Sequence, residues 1–523
     1  MLKKRIETLA TRQELKQIIP HFIDICTTAT NRATHYDTKQ EQQQAINTVH
    51  DALFNIDRGL YSIITLLPGT MDYTKQLAIY KLLTNHRNIN NALTTASQEF
   101  KILQFLSTSL ETPRMFKTFI NLRLNKINNS RTKRLCLSVI LNAENTELWS
   151  TKYRIKIKKI LEHCWGKRNT SIIKSILHKF LIANATNDNT IVYPFSNKEI
   201  EILHQNIFKY THSNNQNPNL YQCLAFILGH ENNLKLPLLN AYVTAKQNIE
   251  QGKSLAYETL QGIRSTYHPT FPANEILNLT MATATAKQQK NFQRKAQQEN
   301  VALEFNPYKY NAIELYIYTF ENGMTDDIKQ ALITKAKKAA QSFLLKYNNI
   351  GILVDNSFSA SGHYTQKLRP IAISLAIRDM LCHIAPEKHI TYNTPDLAGF
   401  LAKPANSTRL ADGLIYLLKQ NPDAIFIISD GYENAPAGRT AEVVYLARKI
   451  GINIPIFQLS PVTGAESFGI RNLSEDITAI PVSNPATIGF SMLKPMFEQD
   501  LKQALWSIVR LVNKNVKLLS EGE

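Results

Sequence analysis

Short apolar runs alternate with stretches of helical period in the last third of the chain. The runs are NIGILVD (349–355), AIFIISD (424–430) and IPIFQLS (454–460), with the weaker HITYN (389–393) and ITAIPVS (477–483). Helical stretches are predicted at about 364–384, 408–420, 438–450 and 487–513. Strands that alternate with helices predict a parallel, doubly wound, Rossmann-like sheet, because parallel neighbours need crossover connections.

The first 345 residues show only the helical period. In SIIKSILHKFLIA, six apolar residues share one predicted helix face: Ile172, Ile173, Ile176, Leu177, Phe180 and Leu181. Fewer than half of the glycines and prolines, which interrupt helices, fall in this longer part. We predict an all-helical domain over 1–345 and a sheet domain over 346–523. For the first, a HEAT-like solenoid or ring and a compact bundle both fit the pattern.

Positive charge is concentrated in the helical part. The chain holds 60 Lys and Arg against 42 Asp and Glu, a net charge of +18, of which residues 346–523 contribute only +1. Residues 101–180 alone contain 17 basic and 4 acidic residues. Such a basic surface attracts polyanions, and we predict that it binds RNA, single-stranded or structured. The predicted phosphate contacts are Lys152, Arg154, Lys156, Lys158, Lys159, Lys167 and Arg168.

Two aromatic residues are interleaved with these cations. Tyr153 and Trp165 offer rings on which bases can stack, and core packing is the alternative, favoured for Trp165. On one continuous helix, Lys152, Lys156 and Lys159 would share a side. A solvated helix face is the alternative interpretation of the whole basic stretch.

Oxygen-bearing side chains stand where the predicted strands end. Asp355, Ser357 and Ser359 follow the first strand in DNSFS, Thr408 begins a helix in NSTRLADGL, and Asp430 ends AIFIISD. The carboxyl ends of parallel strands meet at one sheet edge, so these three loops are expected to converge. Carboxylates and hydroxyls are hard ligands. The five residues therefore predict a Mg²⁺ site, with Mn²⁺ or Ca²⁺ as alternatives.

The three motifs DNSFS, STRLADGL and SDGYEN resemble the metal-ion-dependent adhesion site (MIDAS) of von Willebrand factor A (vWA) domains. The resemblance covers about 175 residues. It implies that Asp355, Ser357, Ser359, Thr408 and Asp430 coordinate a divalent cation. It also implies that the open position of the ion accepts a carboxylate from a partner protein.

The order of the parts is similar to that of the Ro-type RNA-binding proteins, in which a TROVE module of HEAT-like helices precedes a vWA domain. The segment AIELYIYTFENGMTDDIKQALITKAKKAA (312–340) looks like the helical stretch before the vWA domain there. The resemblance implies a Ro ribonucleoprotein-like function, in which basic helices hold non-coding or misfolded RNA. The alternative is a vWA adaptor that captures an acidic residue of a partner, for example beside an AAA+ ATPase.

Other classes of protein find little support in the sequence. No Walker A loop, H-E-x-x-H motif or nucleophile elbow occurs, so we expect no enzyme. No apolar run is long enough for a membrane span, and no signal peptide is predicted. The five cysteines form no CxxC pair and are expected to be reduced thiols in a cytoplasmic protein.

Overall fold

The computed structural model divides into two compact units. The first comprises Met1–Ala78, Arg87–Ile102 and Asn306–Glu523, and the second comprises Ile79–His86 and Leu103–Phe305. The structure describes residues 2–29, 38–85, 93–185, 190–212, 217–280, 306–341, 343, 347–362, 367–392, 401–402, 404, 409–462 and 470–516.

Helices make up most of the described chain. The first unit begins with α1 Leu2–Ala10, α2 Leu15–Thr28, α3 Lys39–Ile56 and α4 Arg58–Ile64. The residues of α5 Asp72–Thr84 and α6 Ala96–Thr108 are divided between the units. The second unit contains α7 Thr112–Leu124, α8 Ser130–Leu141, α9 Thr146–Lys152, α10 Arg154–Trp165, α11 Lys167–Ala183, α12 Asn197–Asn206, α13 Pro218–Ile227, α14 Pro237–Thr244, α15 Tyr257–Tyr267 and α16 Ala273–Thr280. The first unit continues with α17 Ala312–Asn322, α18 Asp326–Ala340, α19 Arg369–Cys382, α20 Leu410–Lys419, α21 Arg439–Lys449, α22 Ile488–Ser491, α23 Lys494–Gln499 and α24 Leu501–Val516.

A parallel five-stranded sheet lies in the first unit. Its strands are β1 Ile350–Val354, β2 His389–Tyr392, β3 Ala424–Ile428, β4 Ile456–Pro461 and β5 Thr478–Val482. Their order is β2-β1-β3-β4-β5, and all four pairings are parallel. Each strand overlaps one of the five predicted apolar runs. The predicted class, helices followed by an α/β sheet, is therefore confirmed at this level.

Strands β1 and β3 are buried along their whole length, which explains why they carry unbroken apolar runs. Leu353 and Ile425 pack with Leu414 of α20 and Val444 of α21 in one buried cluster. Helix α19 also contacts β1, β3 and β4 and packs against α17 and α18. All residues of α19 from Ile371 to Cys382 are buried.

A buried polar triad ties α17 to α19. Arg378 is fully buried, and its Nε donates to Asp379 Oδ1 at 3.0 Å while its Nη2 donates to the Tyr316 hydroxyl at 3.2 Å. The Tyr316 hydroxyl donates in turn to the other carboxylate oxygen of Asp379. A buried charge is tolerated when it is paired and hydrogen-bonded in this way. The triad thus joins the helix before the sheet to a helix packed on it.

The first helices of the chain pack with its last ones in the sheet unit. Helix α2 contacts β5 and α23, and α1 contacts α24. Lys494 Nζ lies 2.7 Å from Asp24 Oδ2, and Ser483 Oγ donates to the Thr27 carbonyl oxygen at 2.7 Å. Residues 1–78 thereby share a compact unit with the sheet, whereas the boundary predicted at 345/346 follows only the change of periodicity.

The second unit consists of packed helices over its described residues. In α11 the predicted apolar face is confirmed: Ile173, Ile176, Leu177, Phe180 and Leu181 are buried and Ile172 is half-buried. All five cysteines, which lie within the described residues, are buried and outside any disulfide. Among the helices that the structure describes, none has the length and apolar character needed to cross a membrane.

Candidate metal site and basic surface

The predicted metal ligands lie where the strand order of the sheet reverses. β1 and β3 are adjacent in the sheet. β2 lies on the other side of β1, and β4 lies on the other side of β3. Val354 pairs with Ile428, so the two strands end at the same level. Asp355 follows β1 directly, and Asp430 stands two residues after β3. In open parallel sheets, this crevice is the usual place for ligands.

Asp355 is held in a fixed orientation at the end of β1. It is buried, and its backbone N–H donates to the Ile428 carbonyl oxygen at 2.9 Å. Its Oδ1 accepts from the Ser357 N–H at 2.9 Å, and its Oδ2 accepts from Ser429 Oγ at 2.7 Å. A carboxylate can accept further contacts at both oxygens. Asp355 therefore retains coordination capacity while its own position is set by the two strands.

Three other predicted ligands are linked to Asp355 through short polar contacts. Ser357 Oγ and Ser359 Oγ lie 2.9 Å apart, and a hydrogen bond joins Ser359 to the Asp430 side chain. Asp430 Oδ1 accepts from the Tyr432 N–H at 3.0 Å. The structure thus brings together four of the five predicted ligands. The fifth, Thr408, lies outside the described residues.

The carboxylate of Asp430 is in an unfavourable electrostatic position. Burial raises its pKa above the usual range, and the nearby Asp355 charge raises it further, against the lowering effect of hydrogen bonds from Tyr432 and Ser359. A divalent cation would offset both effects. Two carboxylates and two hydroxyls are a donor set that fits a hard cation such as Mg²⁺.

Solvent reaches this set through a cleft of about 230 Å³ lined by Ser357, Phe358, Ser359, Asp430, Tyr432 and Asn434. Among the described residues, no group of three or more His, Cys, Asp or Glu side chains is placed to hold a metal ion. The set at this cleft contains two carboxylates, and its remaining donors are hydroxyl groups.

We expect Asp430→Asn to raise the melting temperature of the protein in a chelating buffer at about pH 7. The pKa of Asp430 is raised in the folded state. The neutral carboxyl group therefore stabilises the fold at low pH, and this contribution is lost as the pH rises through the folded-state pKa. Asparagine keeps an acceptor for the Tyr432 N–H without the charge. Added Mg²⁺ should then raise the melting temperature of the wild type and leave the variant unchanged. A lower melting temperature of the variant in chelator would contradict the electrostatic account.

Glu433 lies close to the third loop but is bound elsewhere. Its Oε2 accepts from the Thr440 N–H at 2.9 Å, and its Oε1 accepts from Thr440 Oγ1 at 2.6 Å. Thr440 is fully buried in the first turn of α21. The Glu433 carboxylate therefore caps the helix, which is the favourable end for a negative charge.

We expect Glu433→Ala to lower the free energy of unfolding by about 1–2 kcal/mol, because a buried N–H loses its acceptor. Urea unfolding monitored by circular dichroism measures the change. The control is Glu442→Ala in the same helix, which removes an exposed pair with Arg439 and should cost at most about 0.5 kcal/mol. Equal costs for the two variants would exclude the capping role.

Two residues at this edge escaped the sequence prediction. Ser429 is buried, donates to Asp355 and accepts from the Gly431 N–H at 3.2 Å. Gln458 is fully buried in β4, and its Nε2 donates to Ser460 Oγ at 2.9 Å. The available signal for Gln458 was a polar residue inside the apolar run IPIFQLS, since a buried polar group needs partners. For Ser429, the signal was its position at the strand end.

The basic stretch 152–168 is divided among three helices of the second unit. Helix α9 ends at Lys152, α10 runs from Arg154 to Trp165, and α11 begins at Lys167. Gly166, between the last two, has φ +80°, which favours glycine. The expectation of a single helix carrying Lys152 together with Lys156 and Lys159 is therefore wrong, because the chain turns at Tyr153.

Two of the seven predicted phosphate contacts are engaged within the unit. Lys152 Nζ lies 3.1 Å from Glu258 Oε2. Arg154 Nη1 lies 2.6 Å from Glu231 Oε1, its Nε donates to the Phe226 carbonyl oxygen, and its guanidinium carbon is 4.0 Å from the centre of the Phe226 ring. Arg154 is thus anchored between α10 and α13, and a phosphate would have to displace these partners.

The other five predicted cations are exposed. They are Lys156, Lys158 and Lys159 on α10 and Lys167 and Arg168 on α11. The first turns of α10 and α11 contain no acidic residue. Trp165 is buried and donates to the Asn206 carbonyl oxygen at 3.0 Å, which confirms core packing for this residue. The Tyr153 ring is half-buried and lies 4.8 Å from the Phe116 ring, centre to centre.

Comparison with known proteins does not assign the chain to a family. No protein-family model matches the chain, and no curated protein matches it either.

Proposed function

We propose that the protein binds RNA through the exposed cations of α10 and α11. The observation that carries the proposal is the cluster of Lys156, Lys158, Lys159, Lys167 and Arg168, which are exposed and make no ion pair within the described residues. Lys156 and Lys159 are three positions apart on α10 and are neighbours on the helix surface. Lys167 and Arg168 open the next helix.

Helix electrostatics support an anionic ligand at this surface. The N-terminus of a helix carries a partial positive charge, and acidic residues are usually placed there. The first turns of α10 and α11 carry the exposed Lys156, Lys167 and Arg168 instead. Cations at this end are unfavourable unless an anion is bound nearby. Phosphate groups of RNA are such anions, and contacts to them carry little sequence information.

The proposed RNA class follows from the Ro-like order of parts, with basic helices before a sheet that carries the candidate metal site. We propose a HEAT-like, TROVE-like character for the helical part and a vWA character for the sheet. The parallel strand order and the position of Asp355 and Asp430 at its reversal support the second. Non-coding or misfolded RNA, single-stranded or structured, is the proposed cargo, held in the cytoplasm.

The experiment is spectroscopic. The full chain is purified without nuclease, and the ratio of absorbance at 260 nm to that at 280 nm is measured before and after RNase treatment. A raised ratio that falls on RNase treatment is expected, with extracted RNA visible on a gel. A protein-like ratio before treatment, and no retention of added RNA at low salt, would contradict RNA binding.

The candidate metal site suggests a second function, capture of an acidic residue on a partner protein, as an adaptor would do. The specific observation is the open cleft beside the proposed ligands, where Phe358 is 73% exposed. Asp355, Ser357, Ser359, Thr408 and Asp430 would hold Mg²⁺, Mn²⁺ or Ca²⁺. The bound ion would supply an electrophilic position for a carboxylate oxygen. Both functions are compatible in one chain, because they use different residues.

A further inference from the structure

An aromatic ring and an arginine stand together beside the metal cleft. Tyr432 lines the cleft, and the residue is 43% exposed. The guanidinium carbon of Arg471 lies 4.0 Å from the centre of this ring, which is the distance of a cation–π contact. Phe358 lines the cleft from the loop after β1. We call Phe358, Tyr432 and Arg471 the rim of the cleft.

The backbone of Arg471 is fixed by buried contacts. Gln458 Nε2 donates to the Arg471 carbonyl oxygen at 2.8 Å, and Gln458 Oε1 accepts from the Leu473 N–H at 2.9 Å. Gly431 has φ +84°, and a β-carbon there would come within 2.2 Å of the Arg471 carbonyl oxygen. Glycine therefore lets the 470–473 segment pass directly against the loop that carries Asp430. The buried Gln458 then holds that segment in place.

The Arg471 side chain is available to a ligand. It is exposed, and within the described residues its guanidinium forms no ion pair. Stacking on Tyr432 leaves the edge of the guanidinium free, and this planar group binds carboxylates with two parallel hydrogen bonds. The stacking also restricts the side chain, which lowers the entropy lost when a ligand binds.

We propose that Arg471, stacked on Tyr432, is a second anionic subsite of the metal cleft. The partner is a protein segment with two acidic side chains, one on the metal ion and one on Arg471, and an apolar side chain between them against Phe358 and Tyr432. This inference rests on the proposed metal site and adds the class of segment that the site selects.

Charge distribution favours an acidic peptide over a nucleic acid here. None of the six residues lining the cleft is lysine or arginine, and the cation placed against its Tyr432 ring is Arg471. An RNA strand carries a charge at every nucleotide and is usually followed by a row of cations. A peptide with two carboxylates at a fixed separation can be bound by the metal ion and one arginine.

The test is a selection from displayed peptides with a fixed central aspartate and random flanking residues, carried out with the full chain in Mg²⁺ and in chelator. The variants are Arg471→Glu and Asp355→Asn. Lys449→Glu is the matched control, since Lys449 is exposed at the C-terminal end of α21, away from the strand ends that carry the site.

We expect wild type and Lys449→Glu to enrich a second acidic residue at one constant offset from the aspartate, only with Mg²⁺. Arg471→Glu should enrich lysine or arginine at that offset. A synthetic peptide from the selection should bind Arg471→Gln about three- to fivefold more weakly than wild type. The switch to a basic residue in Arg471→Glu and the weaker binding by Arg471→Gln would both support the subsite.

The contrary outcomes separate the subsite from the metal site. Two outcomes would overturn the subsite but not the metal site. In the first, Mg²⁺ enriches aspartate peptides that have no second acidic residue at a constant offset. In the second, Arg471→Glu enriches the same acidic residue at the same offset as wild type. No Mg²⁺-dependent enrichment, or equal enrichment by Asp355→Asn, would overturn metal-mediated capture and the subsite with it. Displacement of the peptides by single-stranded RNA from both wild type and Lys156→Gln would indicate phosphate at the cleft and overturn the peptide assignment.

Discussion

Replacing Asp355 by asparagine is expected to lower the affinity for Mg²⁺ by at least about 100-fold, since the change removes a charged ligand rather than an outer contact. Asp355 is buried and held in place by Ser357 and Ser429. Asparagine keeps the size of the side chain and an acceptor oxygen. The fold should therefore survive.

Isothermal titration calorimetry with Mg²⁺ and with Mn²⁺ measures the effect. The matched control is Asp476→Asn, because Asp476 is exposed just before β5 and thus away from the carboxyl ends of the strands. The control should bind both ions as the wild type does. Equal affinities of wild type and Asp355→Asn would remove Asp355 from the metal site and with it the proposed MIDAS.

Changing Lys156, Lys158 and Lys159 together to glutamine is expected to weaken RNA binding strongly. Each phosphate contact contributes roughly 0.7 to the slope of log affinity against log salt for single strands. The slope of the triple variant should therefore be flatter by about two units. Unrelated RNA sequences should lose affinity by similar factors, since phosphate contacts do not distinguish bases.

The measurement is a filter-binding titration of single-stranded RNA at several salt concentrations. The control triple is Lys388, Lys419 and Lys449 to glutamine, which removes the same charge from exposed positions of the sheet unit. It should leave the slope unchanged. If the triple in α10 keeps the wild-type slope and affinity, this basic stretch is a solvated helix face, and the adaptor function takes first place.

The strands of the sheet were the easiest elements to predict. A buried parallel strand must be apolar on both faces, so NIGILVD and AIFIISD identify β1 and β3 directly. Helix ends were harder. The predicted helix 487–513 is divided into α22, α23 and α24, with Pro495 in the first turn of α23 and Asp500 before α24. Proline favours the start of a helix over its interior.

Contacts distant in sequence were not accessible from periodicity. The pairing of Asp24 with Lys494 joins α2 to α23, and no local pattern distinguishes α2 from the helices of the second unit. The same limit applies to the basic stretch. In the sequence, Arg154 cannot be distinguished from the neighbouring cations. In the fold, its guanidinium pairs with Glu231 and lies over the ring of Phe226, two residues from later in the chain.

Asp355, Ser357, Ser359 and Asp430 could be proposed as metal ligands from the sequence because each follows a strand, where the topology of a parallel sheet places it at one edge. The residues that hold these side chains and their loops in place could not be predicted. Ser429, Gln458 and Gly431 act through hydrogen bonds and close backbone approach, and these depend on which loops meet in space. The capping role of Glu433 belongs to the same class, since Thr440 is seven residues away.

The salt dependence of RNA binding by the unmodified full chain tests the central claim most directly. Affinity for a single-stranded RNA is measured between about 50 and about 200 mM salt, and log affinity is plotted against log salt. Five exposed cations of α10 and α11 in contact with phosphate predict a slope of about −3.5. A slope near zero, or no binding at the lowest salt, would contradict RNA binding by this surface.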